Sequence, residues 1–273
     1  MKKITLLLAL LIAFTSCALK HTQKLVHSGD YDNAISIAVS SLASNKDKKS
    51  KQEYVSLLEE AFAKAKERDI NAIQLLDKEG NPAKIERIYQ LYLNLNNRQE
   101  KIKPLLPLQI INKNREAIFQ LDNYNNKLIE TKNALSNYLY TNAKIALGSN
   151  NKMDIRKAFD DLNYINQINP NYKDVYELLK EAKIKGSDFV LVSTKNETNM
   201  IIPVRLQNDL LDFNTYGLND KWTVYHNAEQ DGIRYDFGIK IRFRELLISP
   251  EQMKEKEFIK ERRIKDGKKK LID

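Results

Sequence analysis

The sequence predicts a mainly α-helical protein, a helical-repeat array over residues 17–185 followed by a small α+β module at 186–250. Two observations carry this. Apolar residues recur at helical spacing through most of the chain, as in Tyr54, Leu57, Leu58, Ala61, Phe62 and Ala65. Past Gly186 the period changes to two, and Gly232 to Arg244 alternates strictly, with Ile233, Tyr235, Phe237, Ile239, Ile241 and Phe243 on one side and Arg234, Asp236, Lys240, Arg242 and Arg244 on the other.

The elements follow in order. Gly29 suits a helix stop and Asp30 an N-cap, so one helix is expected over Ala18 to His27 and a second to about Leu42, with Ala34, Ile35, Ala38 and Leu42 on its inner face. A helix follows from about Lys51 to Arg68, then a short one at Asn71 to Asp77, closed by Gly80. Asn81-Pro82 opens the next, with Ile85, Ile88, Tyr89, Tyr92 and Leu95 buried. After Pro104 and Pro107 a long helix is expected from about Lys113 to Leu147, and a further helical pair over Asp154 to Ala182. The α+β module is read as strands at Asp188–Ser193, Lys221–His226 and Gly232–Arg244 with a small helix at Pro203–Phe213. Residues 251–273 form a charged basic tail, expected to be mobile because so few apolar residues interrupt its charges.

Composition narrows the function. The chain has 273 residues, 42% hydrophobic and 30% charged, enough for one large or two modest cores. Its only cysteine is Cys17, so no internal disulfide supports the fold. The formal net charge of +9 favours an acidic counterpart, such as anionic lipid, lipopolysaccharide or an acidic protein surface. The first residues make nucleic acid an unexpected partner, because Lys2 and Lys3, the apolar run Ile4–Phe14 and the small residues Thr15-Ser16 read as an export signal.

That stretch ending in Cys17 resembles the lipobox of bacterial lipoproteins, with Phe14 where the family usually has Leu. The resemblance implies a signal peptide over 1–16, cleaved by signal peptidase II. Cys17 would then carry diacylglycerol and acyl chains such as palmitate, tethering the chain to the membrane. An ordinary secretory signal followed by a free thiol fits the same residues. Ala18, in place of the Asp that retains such proteins at the inner membrane, implies the outer membrane, and the absence of an acidic cluster after Cys17 favours the face toward the periplasm.

Gly29-Asp30-Tyr31-Asp32-Asn33-Ala34-Ile35 resembles the helix-turn-helix junction of the tetratricopeptide repeat (TPR). A second resemblance lies at Asp154 to Ala182, where Ala158 takes the small position, Pro170 follows it by twelve residues and Tyr176 stands near the aromatic that opens the next helix. Asn45 to Asn151 shows no clean period of that family, so the array is either an irregular one or a general helical-repeat solenoid. The resemblance implies a protein-binding surface. Together these features lead to a lipid-anchored cell-envelope adaptor that binds a partner protein through TPR-like repeats. The alternative is an envelope lipoprotein binding glycan, peptidoglycan or lipid headgroups through Trp222, Tyr225, Arg234, Lys240, Arg242 and Arg244 of the C-terminal module.

Catalysis is not expected. The sequence has no Gly-rich phosphate loop, no His-Glu-x-x-His and no Gly-x-Ser-x-Gly. His21 and His27 fall on different sides of a helix, and His226 sits among aromatics, so neither a metal nor a cofactor is expected.

Overall fold

The structure, a computed structural model, describes residues 18–211, 220–245, 247, 260–263 and 269–272. The expected signal peptide and Cys17 lie outside them. The protein is mainly α-helical with a small sheet region toward the C-terminus, and it divides into two compact units, Met1–Gly186 and Ser187–Asp273. No helix among the described residues is long and apolar enough to cross a membrane.

In the first unit each helix packs chiefly against its neighbours in sequence. Helix α1 (18–28) ends at Gly29, whose φ of 84° is open to glycine and costly for other residues. Gly29 N–H donates to Val26 O and Asp30 N–H to Leu25 O, the paired bonds that close a helix in a left-handed C-cap. Helix α2 (Tyr31–Ser44) follows at once and buries Ala34, Ile35, Ala38 and Leu42, the face read from the sequence. The Asp30 side chain does not cap the helix; it accepts a bond from Asn33 Nδ2 instead.

Two of the expected helices are one. Helix α3 (Gln52–Glu79) runs without a break through Lys66-Glu67-Arg68-Asp69, because Asp69 is buried there against cationic partners. It ends at Gly80, with φ of 59°. Asn81 Oδ1 then accepts from Ala83 N–H, and a 3₁₀ turn at Pro82–Lys84 leads into α4 (Ile85–Ile102).

The long helix expected from Lys113 begins later. Residues 103–124 form a connector without an α-helix, made of 3₁₀ turns at Lys103–Leu105 and Ile111–Lys113 and a two-residue antiparallel ladder, β1 (Gln109–Ile110) with β2 (Arg115–Glu116), and α5 runs only over Asn125–Leu147. Helices α6 (Lys152–Ile168) and α7 (Val175–Gly186) complete the unit, and α6 is capped by Asn151 Oδ1 on Met153 N–H. Three apolar clusters run through it. One joins α1, α2 and α3 to the connector's Leu105, Leu108, Ile110 and Ala117; the second lies between α3 and α4 at Ile73, Leu91 and Leu95; the third packs α5, α6 and α7 around Leu135, Ala158, Leu162 and Ile165.

In the second unit β3 (Asp188–Asn196) is the central strand, helix α8 (Val204–Leu211) follows it, and β4 (Thr223–His226) and β5 (Phe237–Phe243) flank it, both parallel to β3. Both flanking strands are shorter than expected. Asp220 caps the turn before β4 by accepting from Trp222 N–H and Thr223 Oγ1, and residues 232–236 before β5 are irregular. The expected mobile tail contains a second correction, an antiparallel pair of β6 (Lys260–Arg263) and β7 (Lys269–Ile272), whose backbone groups satisfy one another.

Candidate functional site

The connector is tied to α3 and α4 along its length, and these ties create a groove. The Glu59 carboxylate receives both terminal nitrogens of Arg115 at 2.7 Å and Ile118 N–H at 2.6 Å. Arg115 and the bound N–H outweigh desolvation, holding Glu59 below the usual carboxylate range. The Gln99 side chain pairs with the Asp122 backbone in both directions, Nε2 donating to Asp122 O at 2.8 Å and Asp122 N–H donating to Oε1 at 2.6 Å. Lys66 reaches Gln120 O at 3.0 Å and the Asp122 carboxylate at 2.7 Å. The Phe119 ring stands edge-on to Phe62, and Tyr124, its phenol pushed up by burial and by Asp122, closes the segment.

Between α3 and this strapped segment lies a cavity of about 500 Å³, lined by Phe62, Ala63, Lys66, Glu67, Ile70, Asn71, Ile118 and Gln120. Phe62, Ala63 and Ile70 supply an apolar floor and Ile118, 67% exposed, an apolar rim. Lys66 and Glu67 add one charge of each sign. Such a surface suits an apolar side chain or two of an approaching segment, with polar groups to fix its direction.

A buried ionic cluster holds α3 in place beneath it. Arg98 of α4, 4% exposed, donates to Asp32 of α2 through Nε at 2.6 Å and to Asp69 of α3 through Nη2. Arg68 bridges the same two acids, Nε to Asp69 at 2.8 Å and Nη2 to Asp32 at 3.2 Å, and lies over the Tyr31 ring. Burial tends to raise the Asp32 carboxyl, and the two guanidiniums overcome this and hold it below its ordinary value. Arg98 Nη1 is buried with no hydrogen-bond partner among the described residues. A second open depression of about 550 Å³, lined by Asp32, Asn94, Asn97, Arg98, Glu100 and Lys101, adjoins the cluster.

The residues picked out from the sequence are distributed as follows. Gly29 is the left-handed stop of α1, Tyr31 lies under Arg68, and Ala34 and Ala158 are buried at helix contacts. Pro170 follows the end of α6. Tyr176 is 66% exposed with Lys180 over its ring, so it opens α7 without packing inward; Tyr172 packs against the third cluster instead. Trp222 and Tyr225 are half-buried, Arg234 precedes β5, and Lys240 and Arg242 point from β5 with Arg244 just beyond it, all four exposed. The last six of these residues belong to the second unit and the groove residues to the first.

The groove and the ionic cluster were not singled out in the sequence. A signal for the cluster was there. Asp69 interrupts the buried row Phe62, Ala65, Asp69, Ile73, and Arg98 interrupts Leu91, Leu95, Arg98, Ile102, so opposite charges stand on the buried faces of two neighbouring helices. The groove had no such signal, because its rim depends on a connector read as helix. Among the described residues no group of three or more His, Cys, Asp or Glu side chains is placed to hold a metal ion. No protein-family model, curated protein or solved structure matches this chain.

Proposed function

We propose that the chain is a lipid-anchored adaptor of the bacterial cell envelope, a non-enzymatic protein that holds a partner protein against its helical unit. The observation that carries this reading is the groove between α3 and the connector, an apolar floor and exposed rim set on elements fixed by Glu59–Arg115, Gln99–Asp122 and the Arg98 cluster. A preorganised surface loses little entropy on binding, which favours recognition. Helix α1, described from residue 18, follows the lipobox-like Cys17 in sequence, and a lipid at that cysteine would place the groove within reach of the membrane.

The TPR-like reading of the unit is supported by the Gly29 stop, the buried Ala34 and the helix pair α6–α7 around Ala158. The alternative, recognition of glycan or headgroups by the C-terminal aromatics, draws less support because Trp222 and Tyr225 are half-buried and form no open platform. A photo-crosslinking residue at position 118 tests the proposal in living cells, with position 153 on α6, also exposed, as the control. The expected result is a discrete crosslinked protein at 118, absent at 153 and lost when Ile70→Glu is added. Equal products at both positions, or retention in Ile70→Glu, would overturn the assignment.

A further inference from the structure

Among its described residues the second unit has a thinly covered sheet. Among the described residues it buries only Val190 and Val192 of its large apolar side chains, while Phe237, Ile239 and Ile241 of β5 are 61%, 46% and 40% exposed. A parallel sheet ordinarily has both faces covered, since its connections return across them. Here both faces of β5 meet solvent. In the order β4-β3-β5, the far edge of β5 has no paired strand among the described residues, and β6 and β7 pair with each other.

The register defines what that edge offers. Val190, Val192 and Thr194 of β3 pair with Phe237, Ile239 and Ile241, so these share one face, and Ser193 and Lys195 pair with Lys240 and Arg242 on the other. Glu197 N–H donates to Phe243 O, so the odd-numbered residues of β5 turn their backbone groups toward β3. By strand alternation Gly238, Lys240 and Arg242 turn theirs outward. Among the described residues that edge therefore presents N–H and C=O groups with no strand partner, an apolar stripe on one face and two cations on the other. Glu197 is the acid near those cations, with Lys195 at 3.0 Å and Arg242 at 3.8 Å.

We propose that β5 binds an extended segment of a partner protein by strand addition, a segment alternating apolar with acidic residues. Its apolar residues would continue the stripe of Phe237, Ile239 and Ile241, and its acids would meet Lys240 and Arg242. A second copy of this chain is a poor occupant. Antiparallel self-pairing centred on Lys240 sets that lysine against its own copy and Arg242 against Gly238, so in this register no acid answers either cation. The proposal concerns a surface separate from the α3 groove and stands or falls without it.

The probe is a short capped, fluorescein-labelled peptide alternating valine and glutamate, titrated with the full-length protein and read by anisotropy. Saturable binding is expected, weakened about tenfold or more by Gly238→Pro, which removes an outward N–H without altering charge. A Cβ at Gly238 meets nothing within 4 Å. Lys240→Glu should weaken binding similarly, and the same peptide with lysine in place of glutamate should not bind. A peptide methylated on alternate backbone nitrogens, which leaves the protein untouched, should also fail to bind. No saturation up to about 1 mM, equal binding of the acidic and basic peptides, or binding of the methylated peptide would overturn the proposal. Concentration-dependent dimerisation that Gly238→Pro abolishes would overturn it in favour of a second copy.

Discussion

Replacing Arg98 by alanine removes the residue that joins α4 to both α2 and α3. Its side chain is 5% exposed and that of Asp69 is 3%, so the pair sits where water cannot compensate for a lost partner. Breaking a buried ion pair from one side costs about 3–5 kcal/mol, because the remaining charge stays buried. Asp69 keeps Arg68 at 2.8 Å and Asp32 is about half exposed, which places the expected loss at the lower end, about 3 kcal/mol. Urea unfolding followed by the far-ultraviolet helical signal should show the midpoint falling by about 1 M or more. The double variant Arg98→Met with Asp69→Leu removes both buried charges and should recover most of that loss. A shift below about 0.3 M for Arg98→Ala, or a double variant worse than the single, would refute the reasoning. The same cluster sets a pH dependence. Asp32 is held below its ordinary value by Arg98 and Arg68 against the effect of burial, so its contribution is present above the unfolded pKa of about 3.9 and disappears as pH falls through the folded value. Arg98→Ala should accordingly flatten the loss of stability below about pH 4.

Three smaller perturbations test other parts of the fold. Gly29→Ala places a side chain at φ of 84° with no steric contact within 4 Å, so the cost is backbone strain alone, about 1–2 kcal/mol by thermal denaturation. Glu59→Gln weakens the hold on Arg115 and should cost about 1 kcal/mol, with faster amide exchange localised to residues 115–122. Tyr235→Phe removes the hydroxyl that meets His226 Nδ1 at 2.8 Å, accepts from Gln230 N–H at 3.1 Å and donates to Ala228 O at 3.3 Å. Exchange should rise across 227–235 while the amides of β3 keep their protection.

Helical periodicity made the inner face of α2 readable, because Ala34, Ile35, Ala38 and Leu42 are buried through local spacing alone, and the small position read at Ala158 is buried in α6. The boundaries that were misread depend on long-range partners. Arg68-Asp69 looks like a break in α3 until Arg98 arrives from α4, and 118–122 looks helical until Glu59, Lys66 and Gln99 capture its backbone. The groove inherits that difficulty, since Ile118 and Gln120 reach Phe62 and Ile70 only through the connector's path. In the C-terminal unit the alternation of β5 was visible, whereas its parallel pairing and uncovered faces were not, because alternation carries no strand direction.

The most direct test of the adaptor reading combines the anchor with the groove. Cells expressing the chain with the crosslinker at position 118 are fractionated, with Cys17 intact or as Cys17→Ser, and the crosslinked partner is followed. The account predicts that the intact protein and its crosslinked product sediment with membranes, and that both move to the soluble fraction in Cys17→Ser. Membrane retention unchanged by Cys17→Ser, or no product at position 118 in either form, would contradict it.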